Sequence, residues 1–242
     1  MHPSRTFPAI LTVLAVIGGV IGISIAKRVG LSMPILGGGA IGNFIVTAIL
    51  LYMSVRNPMR AVVLAPIYAI IQGAFLGVIT MLIDTWLAQA GYAATGGVAL
   101  QAFVITLAIL ASMLTLYYFR ILQATPMFTR VVLTLVVGIM ITYVISLILS
   151  FFGMGVPFIS VFTTPMEGTG MWIGLGINLF ILLIASLMLI IDFKIVEDHV
   201  KADAPKRMDW FLGLCLIVTL AWIYLEAVQL SARLAILAGN RD

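Results

Sequence analysis

Glu226 stands where a carboxylate is hardest to explain without a chemical role. It follows sixteen mainly apolar residues, 210–225, and a further apolar stretch comes after it. An ionised carboxylate in bilayer hydrocarbon costs several kcal/mol unless it faces protein or water. At helical spacing, Cys215, Thr219, Trp222, Glu226, Gln229 and Arg233 fall along one face. A polar stripe on an otherwise apolar helix points into a bundle, so the last helix is expected to be central or to line a cavity. The plainer alternative is that Glu226 merely pairs with Gln229 or Arg233 near the outer interface. A second carboxylate, Asp192, ends the sixth apolar run directly before Phe193 and Lys194, and reads either as functional or as an ordinary interfacial carboxylate. Asn178 precedes it by fourteen residues, about four turns, which puts both near one face of the same helix. In the third run, Ala69, Gly73 and Gly77 recur every four residues as a small-residue face for close helix packing, and Gln72 adjoins it with an amide that needs a partner inside the bundle.

Other chemistries lack their residues. Two histidines, His2 and His199, and one cysteine, Cys215, offer no metal-ligand spacing and no intramolecular disulfide. There is no P-loop, no H-E-x-x-H and no G-x-S-x-G. Neither an enzyme nor a resident cofactor is expected. The mixed-charge segment Glu197, Asp198, Lys201, Asp203, Lys206, Arg207 and Asp209 lacks the EF-hand pattern. Its pairs four apart, Lys194 with Asp198 and Glu197 with Lys201, predict a solvated extension of the sixth helix that Pro205 stops.

The elements that must position these residues follow from composition. The chain is 63% hydrophobic and only 9% charged, against roughly 25% charged in a soluble domain, so its solvent is largely lipid. Seven continuous apolar stretches, at about 8–26, 33–55, 61–83, 98–119, 131–152, 170–191 and 210–237, are each long enough to span the hydrocarbon core. Continuous runs favour helices over the alternating segments of a barrel. The expected fold is a single all-α transmembrane domain of seven helices over residues 1–242. The first stretch has about 18 apolar residues, longer than the 7–15 of a secretory signal, and is expected to stay as a helix. With the N-terminus inside, nine basic residues (Arg5, Arg56, Arg60, Arg120, Arg130, Lys194, Lys201, Lys206 and Arg207) face the cytoplasm. Four (Lys27, Arg28, Arg233 and Arg241) lie outside, so the N-terminus is expected in and the C-terminus out. The net charge of +4 fits basic residues at a membrane face rather than a nucleic-acid partner.

Several short motifs point to one family. They are Asn57-Pro58, Ala65-Pro66-Ile67-Tyr68-Ala69, Gln72-Gly73-Ala74-Phe75-Leu76-Gly77, Ile191-Asp192-Phe193, Ala204-Pro205-Lys206 and Trp222-Ile223-Tyr224-Leu225-Glu226. In this order they resemble the Bax inhibitor-1 (TMBIM) family, most closely its bacterial YccA-like members, from the second helix to the seventh. The resemblance implies six helices wrapped around a central C-terminal one. It also implies a carboxylate on the sixth helix, here Asp192, that pairs with one on the seventh, here Glu226, as a pH-sensitive latch. Arg56 and Arg60 are both candidates for the basic residue that joins the latch in some members. This chain departs from the family at three points: Glu226 stands where leak-type members carry Asp, Gln72 stands where YccA-like members often have Glu, and the two carboxylates are 34 residues apart, about ten more than in the leak-type members. For them to meet, the sixth helix must run well past Asp192. Continuation to Ala202 adds only about 15 Å, while Glu226 lies roughly 25 Å beyond Asp209.

Two carboxyls in a low-dielectric site cannot both ionise cheaply, so a latch of this kind shares a proton and separates its helices when the proton is lost. Because members of the family it resembles are associated with calcium leak, the resemblance implies a pH-sensitive calcium or cation leak channel in the bacterial inner membrane. Asp192 and Glu226 would gate it, with Gln72, Asn178, Gln229 and Arg233 as pore or bundle-interior polar groups. Calcium enters as permeant ion rather than cofactor. Two rivals remain. One, implied by the resemblance to YccA-like members, is a non-conducting interaction protein that modulates a membrane-anchored quality-control protease through residues 1–7 and 194–207. The other is a proton-coupled transporter that uses a membrane carboxylate as its relay.

Overall fold

The computed structural model describes residues 6–29, 33–92, 94, 96–165, 168–203 and 205–239. His2, Arg5, Ala204 and Arg241, and the start of the 1–7 segment, lie outside them. The fold is all-α among these residues. It consists of α1 (Thr6–Val29), α2 (Met33–Arg56), α3 (Ala61–Gln89), α4 (Val98–Tyr118), α5 (Pro126–Phe151), α6 (Thr169–Lys201) and α7 (Met208–Gly239). Six of the seven are long and apolar enough to cross a membrane; in α2 the apolar stretch among the described residues is the shorter Gly42–Arg56. The expected helices all form, and several outrun their apolar cores.

α6 shows why. It passes Asp192 and continues to Lys201, carried by the predicted pair of Glu197 and Lys201 four residues apart. Asp203 then takes a left-handed φ of 48°, Pro205 follows, and the chain re-enters a helix at Met208. Burial is unevenly shared among the apolar windows. In α6 and α7, 50% and 56% of the residues are buried, against 6–28% in the other spans. That agrees with a polar stripe on α7 that faces protein.

Two compact units can be distinguished. The first comprises Met1–Met81 with Ile195–Ala221. Its core gathers Leu11 of α1, Ala65, Tyr68 and Ala69 of α3, and Leu214 and Ile217 of α7. The expected small-residue face on α3 packs on α1. A Cβ on Gly73 would run into the backbone carbonyl of Ala15, one on Gly77 into Gly19, and one on Gly18 into Ile70. The second unit comprises Leu82–Lys194 with Trp222–Asp242. There Asp84 Oδ1 accepts from the Val98 backbone N–H at 2.9 Å and caps the start of α4. Trp86 meets Phe162 edge-on with centroids 5.2 Å apart, which ties the α5–α6 connection to the end of α3.

Candidate functional site

The second half of α7 is a Pro-free helix mainly of Leu, Ala, Val and Ile, interrupted by Trp222, Tyr224, Glu226, Gln229, Ser231 and Arg233. Glu226 is 2% exposed. Its carboxylate is held from two sides: the Tyr143 hydroxyl of α5 donates to Oε1, and Asn178 Nδ2 of α6 donates to Oε2 at 2.7 Å. The same amide also reaches the Glu226 backbone carbonyl at 3.2 Å, which fixes the register of α6 against α7. Asn178 is itself 2% exposed. Three helices therefore converge on one buried carboxyl, and both partners are donors, as an acceptor-only carboxylate requires.

Two turns further along α7, Arg233 is completely buried. Its Nη1 donates to the Gly174 carbonyl of α6. Its Nη2 donates to the Phe158 carbonyl at 2.9 Å and to Thr164 Oγ1 at 3.2 Å, both in the α5–α6 connection. Thr164 Oγ1 donates in turn to the Ser160 carbonyl at 2.8 Å, and Thr163 closes a capping box with Ser160. The connection is thus folded around the guanidinium. Gly174 makes room for this: a Cβ there would come within 2.6 Å of Thr164 Cγ2 and 3.4 Å of Arg233 Nη1. A guanidinium stays charged in proteins, and Glu226 is the buried carboxylate on the same face of the same helix.

Not every polar atom in this region is matched. Asn178 Oδ1, Trp222 Nε1, Gln229 Oε1, Ser231 Oγ and Arg233 Nε are buried without a hydrogen-bond partner among the protein groups. The Trp222 indole lies against both Glu226 and Tyr143 without reaching hydrogen-bond geometry. Each such atom left unpaired costs about 1–3 kcal/mol.

The expected carboxylate latch does not form. Asp192 is buried, 2% exposed, on α6, but Glu226 is engaged by Asn178 of that same unbroken helix. Fourteen residues of helix place Asp192 about 21 Å further along. The α6 extension beyond Asp192 offsets only part of the length that α7 runs back from Met208 to Glu226, so the two carboxylates stay at different depths. Arg56 and Arg60 are both exposed in the first unit, and Arg56 lies over the Tyr52 ring at 5.7 Å. Gln72 does find bundle partners: its Oε1 accepts from Asn43 Nδ2 and Thr47 Oγ1 of α2, each at 3.4 Å. Of the plainer reading, a pairing of Glu226 with Gln229 or Arg233, the charge interaction with Arg233 is present, while the hydrogen bonds of Glu226 go to Tyr143 and Asn178.

Sequence reasoning passed over Tyr143 and Thr164. A tyrosine inside an aliphatic helix needs a partner for its hydroxyl, and that signal was available for Tyr143. Thr164 carries no such mark, because its role comes from the shape of a loop.

The fold and this site define a multi-pass, all-α membrane protein with a charged network buried inside its helices. The chain belongs to the Bax inhibitor 1 like family, whose model matches residues 5–236. No curated protein and no solved structure matches it.

Proposed function

We propose that this protein is a pH-sensitive cation leak of the Bax inhibitor type, with calcium as permeant ion, in which Glu226 alone is the gating carboxylate. The observation that carries this reading is the clasp of Tyr143, Glu226 and Asn178 across α5, α6 and α7. An ionised carboxylate accepts from both donors. A protonated one accepts more weakly and carries an O–H that needs an acceptor of its own, which favours a rearranged set of partners. The clasp therefore has two arrangements selected by a proton, which is the kind of bistable contact that opens and closes a helix bundle. Opening of the helices beside this carboxylate would present oxygen ligands, which favour calcium over anions. The family membership supports the membrane setting, and with Arg233 buried in the bundle the basic residues divide nine against three, which supports a cytoplasmic N-terminus and an outside C-terminus; the motif resemblance to bacterial members supports a bacterial inner membrane.

The test is calcium entry into dye-loaded proteoliposomes across about pH 6 to 8, the range in which perturbed carboxyls titrate. Glu226→Gln is expected to flatten the pH profile, and Asp192→Asn to leave its shape unchanged. Flux no greater than in empty liposomes at every pH overturns conduction. It directs attention to a non-conducting partner of a membrane-anchored protease, with the 194–207 segment as contact surface. Saturation with fixed proton stoichiometry identifies a proton-coupled transporter instead.

A further inference from the structure

Buried polar atoms without partners are uncommon in folded proteins, and here they are clustered. Of the six among the described residues, five lie in the second unit, and four of those fall within twelve residues of α7. Trp222, Gln229 and Arg233 share the Glu226 face, and Asn178 meets that face from α6. Their chemistry is complementary. Trp222 Nε1 and Arg233 Nε offer N–H donors, while Asn178 Oδ1 and Gln229 Oε1 offer lone pairs. A purely anionic or cationic ligand would satisfy only half of them. Water, which donates and accepts, satisfies both kinds, and an internal water needs two to four polar partners. Asn178 and Arg233 are 2% and 0% exposed, so bulk solvent does not serve them.

We infer that the face of α7 from Trp222 to Arg233 binds a cluster of internal waters, bridging the Trp222 indole, Asn178 Oδ1, Gln229 Oε1 and Arg233 Nε beside Glu226. The cluster solvates the buried carboxylate on both sides, from the Trp222 turn before it to the Arg233 guanidinium two turns after it, and gives the Glu226 proton a hydrogen-bonded exit that the protein groups alone do not provide. The inference deepens the reading of Glu226 as gating carboxylate, but its evidence is independent of any ion flux.

Synchrotron hydroxyl-radical footprinting of the full chain in lipid nanodiscs tests it, because radicals formed from bound water label the side chains beside that water. Tyr68, 2% exposed in the apolar core of the first unit, is the dry reference. Tyr143, which is half-buried and bonded to Glu226, is expected to oxidise at least about tenfold faster than Tyr68, and Gln229→Leu to remove much of that excess if bound water rather than exposure supplies it. Gln229→Leu, which removes one bridging acceptor, is expected to cut Trp222 oxidation at least about threefold, with Tyr68 and the exposed Tyr118 unchanged as evidence that the fold is intact. Tyr143 labelled as slowly as Tyr68, or Trp222 labelling that survives Gln229→Leu undiminished, overturns the inference. Absent calcium flux with the labelling pattern intact would instead remove the proposed function and leave the water site standing.

Discussion

In the first unit, α1 and α3 are joined by glycines set against carbonyls, with Gly18 and Gly19 of one helix facing Ile70, Gly73 and Gly77 of the other. In the second unit, α5, α6 and α7 are joined by Tyr143, Asn178, Glu226 and Arg233. Both regions answer the same difficulty. Lipid is as apolar as a leucine side chain, so helices in a membrane gain little by burying apolar faces against each other. The seam gains from shape, since backbones that approach closely make many dispersion contacts and hold no group that titrates. The cluster gains from directed hydrogen bonds to a carboxyl and a guanidinium, and on the proposed reading its geometry depends on where the Glu226 proton sits. A protein that must keep one part fixed while another responds to its surroundings needs both kinds of joint.

The sharpest way to break the contrast is to give the seam a side chain. Gly73→Val places a branched group where even a Cβ collides with the Ala15 carbonyl. Backbone, unlike a side-chain tip, cannot move aside, so the helices must separate. The expected loss exceeds the ~1–3 kcal/mol typical of overpacking, read as a large drop in melting temperature in detergent or as failure to accumulate. No change of pH should rescue it.

The next largest effect belongs to the cluster. Arg233→Met keeps the length and most of the volume but strands the Phe158 carbonyl, the Gly174 carbonyl and Thr164 Oγ1. It also leaves Glu226 without the positive charge on its own helix face. Removing one partner of a buried charged network costs about 3–5 kcal/mol, and part of that cost should vanish in Arg233→Met with Glu226→Gln. Recovery of stability in the double variant is the expected result. Strictly additive losses would mean that the two groups do not sense each other.

Much of this contrast was readable from residue types alone. The four-residue recurrence of Ala69, Gly73 and Gly77 announces a close-packed helix face, because only small residues permit it, and the α1–α3 seam is where it leads. The stripe from Trp222 to Arg233 announces a buried polar face for the same reason that a charge in hydrocarbon is costly. Which partners meet that face was a different matter. The motif order led to Asp192, yet the carboxylate is met by Asn178 and Tyr143. Contact between antiparallel helices depends on where each helix starts and how far it runs. The charge pairs four apart do announce the extension of α6 to Lys201, but they do not say which residues of α6 and α7 then lie at the same depth. The Arg233 partners Phe158 and Thr164 were less legible still, since a folded connection presents carbonyls from residues of any type.

A smaller effect separates the clasp from the rest of the cluster. Tyr143→Phe removes one hydroxyl and keeps the ring, so packing is preserved and the Glu226 carboxylate loses one of its two donors. Hydrogen bonds between membrane helices are worth about 0.6 kcal/mol on average and up to about 1.7, and a charged acceptor puts this one towards the upper end. A modest fall in melting temperature is expected together with a displaced pH profile of calcium flux. A stability loss with an unmoved profile would assign Tyr143 to packing alone.

The smallest effect is expected from Gln72→Leu, and it sharpens the comparison from the other side. Gln72 is a buried polar residue of the first unit and on sequence grounds was as much a pore candidate as Asn178. Its two hydrogen bonds, to Asn43 and Thr47, are each 3.4 Å long and join neutral groups. Long neutral bonds fall at the weak end of the membrane range, so the cost should be at or below about 0.6 kcal/mol, with the pH profile of flux unchanged. Leucine nearly matches glutamine in volume, which leaves the adjoining glycine seam undisturbed. If Gln72→Leu nevertheless altered the pH response as Glu226→Gln is expected to, then burial of a polar group, rather than its charge and its donors, would be what couples these helices to the proton, and the division between a fixed seam and a responsive cluster would fall.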